Sequence, residues 1–539
     1  METKWWHKSV VYQVYPRSFM DSDGDGIGDL QGLISKLDYI HALGADLIWL
    51  CPVYASPNED NVYDISDYCR IHPEFGTMAD MELLISEAGK RGIAIMMDIV
   101  ANHTSNEHPW FIESRSSKQN RYRDFYIWRD GRDAGKPSEL ASFFGGSAWE
   151  YDSKTDQYYL HMFSKKQPDL NWHHPPVRQS IYDVMRFWIA KGIKGFRFDV
   201  IDLIAKEIDK DIIGNGPLLH EYLQEMHREV LEGADVVTVG ETGGADLEQA
   251  LLYTDASRKE LDMVFSFEHI ALDEEAGKQK WDIKALELDD LKNVLSKWQL
   301  GLLEKGWNSL FWCNHDQPRI VSRWGNDKEY RYESATMLAA LLHCMRGTPY
   351  IYQGEEIGMT NVRFPKLSFY RDIETIHLYH DRLEKGFQHE DIMESIYAKG
   401  RDNARTPMQW DAGKNSGFTT GTPWIELNPN FTEINAMADM TADKSIFHFY
   451  KKLISLRKSN DALIYGDYEL LESEKEIFSY SRTFEGEKWY VACNFSGKKT
   501  HSRLLGTIAE GEIMLQNYGS PITNQTLRPY EVAVYKVKN

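Results

Sequence analysis

Lys191-Gly-Ile-Lys-Gly-Phe-Arg-Phe-Asp-Val200 is the stretch on which the fold turns. Within it, Gly195-Phe-Arg-Phe-Asp199 alternates apolar and charged side chains at the two-residue period of a strand, so Arg197 and Asp199 share one face. Just before it, Ile181-Tyr-Asp-Val-Met-Arg-Phe-Trp-Ile-Ala190 repeats apolar residues at helical spacing. Outward in both directions the same unit recurs. Strand-like runs at 10–15, 46–50, 93–99, 195–199, 236–240, 263–267, 309–314 and 349–353 alternate with amphipathic stretches such as 81–90. Eight such units predict an α/β chain closed into a (β/α)8 TIM barrel, with an open doubly wound sheet as the competing arrangement.

The third and fourth runs lie almost a hundred residues apart, while most others are separated by a few dozen. The intervening segment is rich in aromatic, Gly, Ser and Asp residues, which predicts a small inserted domain over 104–168. Beyond a final amphipathic stretch at 445–457 the period changes to alternating strand-like runs, as in Trp489-Tyr-Val-Ala-Cys493, which predicts a C-terminal antiparallel β-sandwich over 466–539. The barrel then comprises 1–103 and 169–465.

Sixty-one basic against 82 acidic residues give a formal charge of −21. Such a chain repels nucleic-acid phosphates and anionic membranes and favours a neutral ligand. The apolar stretch near 335–345 is about half the ~20 residues of a membrane span. No secretory pattern precedes the first run, and the five scattered cysteines lack CxxC spacing, so a cytoplasmic protein with reduced thiols is expected, monomeric or weakly self-associating.

A barrel works at the C-terminal ends of its strands, and here those ends are acidic. They read Asp98-Ile-Val-Ala-Asn-His103, Arg197-Phe-Asp199, Val239-Gly-Glu241 and Asn314-His-Asp316. Any one Asp there reads as a helix cap or turn residue, as Asp67, Asp80 and Asp262 do. Four such ends at once read as a site, because gathered carboxylates resist desolvation and repel each other. Glycoside hydrolysis needs this set, since its transition state is cationic and its leaving oxygen needs a proton. Asp199 is the candidate nucleophile, kept ionised by Arg197. Glu241 is the candidate acid and later base. Asp316, His315 and His103 are assigned to sugar hydroxyls.

Together with Tyr63-Asp64, these motifs resemble in order and spacing those of the α-amylase superfamily, glycoside hydrolase family 13, along nearly the whole chain. Gly347-Thr-Pro-Tyr-Ile-Tyr-Gln-Gly-Glu-Glu356 and Arg401-Asp-Asn-Ala-Arg-Thr-Pro-Met-Gln-Trp410 are similar to the oligo-1,6-glucosidase, dextran-glucosidase and trehalose-6-phosphate-hydrolase branch. The resemblance implies a retaining, exo-acting α-glucosidase on small oligosaccharides, with Tyr63 at the sugar and an Asp64–Arg401 pair gripping the terminal glucose. Val200 directly after the nucleophile, and Lys280 and Glu374 at the leaving sugar, imply α-1,6 linkages. The acid/base follows the nucleophile by 42 positions, short like the dextran glucosidases, which implies an open mouth. Two departures stand out: Asp60-Asn-Val-Tyr-Asp64 where relatives carry Gly before Tyr, and Gly240-Glu-Thr-Gly-Gly244 where dextran glucosidases carry Trp before the last Gly. Phe311-Trp-Cys-Asn-His-Asp-Gln-Pro-Arg-Ile-Val-Ser-Arg323 is close to the trehalose-6-phosphate hydrolases, so that activity is the first alternative. A basic cluster of Lys280, Arg319 and Arg323 would mark it. An α-1,4-glucosidase is the next alternative, and a catalytically dead binding subunit is disfavoured because all three carboxylates are present.

Asp21-Ser-Asp-Gly-Asp-Gly-Ile-Gly-Asp29 spaces carboxylates at alternate positions, as a hard cation requires. An EF-hand is excluded, because Gly32 stands at the twelfth position. The loop resembles the calcium loop of the same branch, which implies structural Ca2+ on Asp21, Asp23, Asp25, Ile27 and Asp29 and no organic cofactor. Gly24-Asp-Gly-Ile-Gly28 lacks dinucleotide-binding spacing.

Overall fold

In the computed structural model, which describes residues 3–132, 135–508 and 511–538, the eight barrel strands are β1 (Val11–Val14), β2 (Leu47–Leu50), β3 (Ala94–Val100), β4 (Gly195–Asp199), β5 (Val237–Glu241), β6 (Met263–Phe265), β7 (Ser309–Leu310) and β8 (Thr348–Tyr352). They pair in parallel in the order β6-β5-β4-β3-β2-β1-β8-β7. A parallel bridge between Val264 and Asn308 shuts the ring, which removes the open-sheet alternative. Strand β7 is shorter than the sequence pattern suggests. Beyond Leu310 the chain leaves the ladder, and Asn314 Oδ1 accepts from the Asp316 amide at 2.8 Å in a turn that ends the extended run.

Alternation along the strands sorts two cores. Val11, Trp49, Met96, Val239, Met263, Phe265, Phe311 and Tyr350 fill the barrel interior, which is packed and not a pore. Outward-facing residues such as Ile48, Ile95, Phe196 and Phe198 join a second core with the surrounding helices. Each fully buried side chain of this size contributes about 1.5–3 kcal/mol. The helix Arg331–His343 is buried all round, which explains its apolar composition. Among the described residues no helix is long and apolar enough to cross a membrane.

Between β3 and β4 the chain departs and returns through an antiparallel bridge of His103 with Asp169. The excursion carries a three-stranded antiparallel sheet (Trp128–Arg129, Gln157–Leu160, Trp149–Asp152) over its own small core of Ile127, Ala148, Trp149, Leu160 and Met162. At the other end of the chain, strands from Asp467 onward form a five-stranded antiparallel sheet. One face of it meets the helix Arg331–His343, where Tyr480 Oη donates to the Leu341 carbonyl at 2.6 Å. The ribbon Thr500–His501/Thr526–Leu527 covers the other face through Ile477, Ala492, Leu527 and Tyr535. The sandwich is therefore lopsided, five strands on two.

Candidate active site

The register of β3, β4 and β5 sets Asp98 beside Arg197 and Arg197 beside Val239, so one rim gathers Asp98, Arg197, Asp199 and Glu241. Arg197 is buried and holds the group together. Its Nη1 donates to Asp98 Oδ1 and to Asp199 Oδ1, each at 2.8 Å, and its Nη2 donates to Glu241 Oε2 at 2.5 Å. Asp98 also accepts from Trp49 Nε1 at 3.2 Å and Tyr63 Oη at 3.0 Å. Glu241 Oε2 accepts the Val200 amide at 3.2 Å. To place that amide, Val200 takes φ +36° and ψ 48°, a left-handed conformation that costs a β-branched residue on the order of 1–3 kcal/mol.

Arg197 favours the ionised form of Asp199, as the sequence reading holds, but it is shared and works against burial. One cation serves three carboxylates, and all lie where water is scarce. Burial pushes Asp199 well above the usual carboxylate range and Asp98 up to about 6, with Arg197 opposing both. The Asp98–Asp199 pair therefore favours retaining a proton.

The facing wall is built the other way, with two cations. Asp316 Oδ1 accepts from Arg405 Nη2 at 2.5 Å and from Arg401 Nη1 at 3.4 Å. Its Oδ2 lies 3.3 Å from His315 Nε2. Burial alone would raise this carboxyl, but His315, Arg401 and Arg405 hold it well below the usual range. Burial lowers His315 to about 3, so it is a neutral imidazole. Gln13 Nε2 lies 2.9 Å from its Nδ1, which leaves Nε2–H for Asp316. Tyr63 stacks on the same ring with centroids 5.2 Å apart.

Arg401 does not pair with Asp64. Its Nη2 meets Asp372 Oδ1 at 2.6 Å and Asp60 Oδ1 at 3.5 Å, and its Nε lies 3.4 Å from Glu374 Oε2. Asp64 is fully buried and accepts the amides of Glu59 and Asp60 at 2.9 and 3.1 Å. Burial pushes it to about 6. Asn61 and Val62, at φ +48° and +72°, turn the chain between the two acids, so Asp60 reaches Arg401 while Asp64 turns inward. Lys280 Nζ donates to Glu374 Oε2 at 2.6 Å, and this pair joins the Arg401 cluster. His103 has both ring nitrogens engaged, Nε2 with the Tyr63 carbonyl at 3.1 Å and Nδ1 with Asn102 Nδ2 at 3.1 Å. As placed, it braces Tyr63 and presents no nitrogen to a hydroxyl.

Four members of the cleft escaped the sequence reading as site residues: Asp60, Asp98, Asp372 and Arg405. Asp60, Asp98 and Arg405 lie within the family-like motifs of the sequence. Asp372 also caps the helix Ile373–Glu384 by accepting from the Thr375 amide at 3.1 Å, so on sequence it resembles any capping Asp.

In the first βα loop, carboxylate oxygens of Asp21, Asp23 and Asp29 lie within 4.8 Å of one another, an all-oxygen set that suits a hard cation. Asp25 is not part of this set, and its Oδ1 accepts the Ile27 amide at 2.8 Å.

Three acids around one guanidinium on one wall and an acid between two guanidiniums on the other suit glycoside hydrolysis, whose transition state is cationic and whose leaving oxygen needs a proton. Residues 13–466 match the family model of the alpha-amylase catalytic domain, and the chain belongs to that family. It is 56% identical to an oligo-1,6-glucosidase of Bacillus cereus over 100% of both chains. It is 52% identical to a glucan 1,6-alpha-glucosidase of Streptococcus pneumoniae over 98% of this chain and 99% of that one. Among solved structures, a trehalose-6-phosphate hydrolase of Bacillus licheniformis superposes with a TM-score of 0.94 at 46% identity, covering 100% of both chains.

Proposed function

We propose that the chain is an exo-acting, retaining α-glucosidase that hydrolyses α-1,6 bonds from the non-reducing end of isomaltooligosaccharides. The observation that carries this is the shared guanidinium of Arg197, which bridges Asp199 and Glu241. Two carboxylates on one guanidinium suit the close pair of a covalent mechanism better than the about 6.5–9.5 Å gap of an inverting one. Asp199 attacks the anomeric carbon while Glu241 gives a proton to the leaving oxygen. Glu241 then takes a proton from water, which cleaves the glycosyl ester. Asp316 stays ionised beside Arg401 and Arg405 and accepts ring hydroxyls. Arg401, tied to Asp60, Asp372 and Glu374, closes the pocket beyond the terminal glucose.

The α-1,6 preference is supported by the named relatives and by the basic residues. A phosphate would need Lys280, Arg319 and Arg323 free near the leaving group. Arg319 instead donates to the carbonyls of Gln353, Asn403 and Ala404. Arg323 pairs with Asp273 at 2.6 Å and Lys280 with Glu374. At Gly243, two residues past the acid, an added Cβ meets nothing within 4 Å, which supports an open leaving-group side. The test is glucose release from isomaltotriose, maltotriose and trehalose 6-phosphate, with Asp199→Asn as blank. The isomaltotriose rate should be highest; a higher rate on trehalose 6-phosphate overturns the linkage assignment.

Structural Ca2+ on Asp21, Asp23 and Asp29 belongs to the same reading. Chelation by EGTA should lower Tm and leave kcat of the folded enzyme unchanged; a Tm indifferent to EGTA and added Ca2+ removes the metal from the account.

A further inference from the structure

The acids and guanidiniums of the cleft all lie at the C-terminal ends of the strands. A second cavity opens at the opposite end of the barrel, with a volume of 580 Å3. It lies among residues 4–7, the starts of β5 and β7, the segment leading into β6 and the wide helical turn His227–Leu231. Its size falls in the about 300–1,000 Å3 range of small-molecule sites. Conserving stability is the ordinary task of this face of a barrel, and a hollow of that size does not serve it.

The lining is specific. Trp6 and Trp307 are buried, and His7 stacks on Trp307 with centroids 4.0 Å apart. Trp5, on the rim, is 40% exposed, unusual for so large an apolar ring. The charged residues along the lining are largely paired already, Lys259 with Glu232 at 2.8 Å, Glu260 with Arg258 at 2.7 Å and Asp235 with Lys194 at 3.0 Å. His227 Nδ1 is buried without a hydrogen-bond partner, a state that costs about 1–3 kcal/mol unless a ligand or water relieves it. Asp262 accepts the Thr238 amide and hydroxyl on one oxygen, Oδ2, at 2.8 and 2.9 Å. Its other oxygen accepts no hydrogen bond from the described residues.

We propose that this cavity is a second saccharide site, which takes a short neutral glucan with Trp5 as the stacking face and Asp262 and His227 as hydroxyl partners. Cations and anions alike find most of the lining charges already paired, and a purely apolar ligand leaves His227 Nδ1 and the second oxygen of Asp262 unsatisfied. A sugar offers an apolar C–H face to an indole and hydroxyls that both donate and accept. The choice of glucan rests on the α-1,6-glucosidase reading; the existence of the site does not.

The experiment is calorimetric titration of the full chain with isomaltotriose, and in parallel maltotriose, in saturating deoxynojirimycin, a glucose-shaped compound that fills the catalytic pocket. Saturable binding should persist, and Trp5→Ala should weaken it at least tenfold while Tm and kcat/KM stay as in the parent. His227→Ala should weaken it as well. Absence of residual binding, or residual binding that Trp5→Ala leaves intact, overturns the proposal. If isomaltotriose is not hydrolysed yet either trisaccharide still binds through Trp5, the second site stands and the α-1,6 reading fails.

Discussion

The two walls of the cleft contain the same chemical groups in opposite ratios. Around Arg197, three carboxylates share one cation; around Asp316, two guanidiniums flank one carboxylate, with Asp372 and Asp60 behind them. Asp98 and Asp199 on the first wall are pushed toward holding a proton, and Asp316 and Asp372 on the second are held ionised. Proton exchange and fixed negative charge are thus separated across a single pocket by counting cations. A retaining glycosidase needs both, one to serve the leaving oxygen and the other to stabilise positive charge on the ring.

The comparison breaks most visibly on the proton-exchanging wall. Asp199→Asn should abolish turnover, and Glu241→Gln should cut kcat on isomaltotriose about 10²–10⁴-fold. The Glu241→Gln loss should shrink on an activated aryl glucoside, whose leaving group needs no proton; an equal loss on both substrates contradicts the acid role. On the ionised wall, Arg401→Ala removes the cation nearest Asp60 and leaves Asp372 with Arg405 alone, 3.6 Å away. Breaking such a pair costs about 3–5 kcal/mol, so kcat/KM should fall roughly 10²–10³-fold, with Tm lowered too. A change confined to KM for long substrates would place Arg401 outside the terminal-glucose pocket.

Stability against pH separates the walls without kinetics. Asp98 has its carboxyl raised from 3.8 to about 6, so its contribution is full below about pH 4 and is lost as pH rises through about 6. Asp316 is shifted the other way, so its contribution is present above its unfolded value and persists throughout that window. In unfolding measurements on the unliganded chain, Asp98→Asn should remove part of the stability lost between pH 5 and pH 7.5, on the order of 1–3 kcal/mol. Asp316→Asn should leave that slope intact; a slope unchanged in Asp98→Asn refutes the shared-cation account. The smallest effect belongs to Lys280→Ala at the half-buried Lys280–Glu374 pair, about 0.2–1 kcal/mol, read as a few-fold rise in KM for isomaltotriose.

Much of this was legible before any coordinates. The eight strands follow from period and composition, and the acids at their ends mark the rim, because strand alternation fixes which residues share a face. What sequence could not supply was ratio and direction. That Arg197 would be divided three ways depends on the lateral register of three strands. Asp60 and Asp64 are chemically equal on the page, and only the left-handed turn at Asn61 and Val62 sends one outward and the other inward. Nor does period reveal that β7 stops at Leu310, before the turn in which Asn314 accepts from the Asp316 amide.

The barrel closes by pairing its first strand with its last, Val11 beside Tyr350, and the pocket joins Asp60 to Arg401 across 341 positions. During translation at about 5–20 residues per second, β1 therefore waits on the order of 20–70 s with one edge unsatisfied. An apolar strand in that state invites pairing with another nascent chain. Heterologous production should thus be limited by what happens on the ribosome, and slowing initiation or supplying a holdase should raise soluble yield more than any substitution in the finished core.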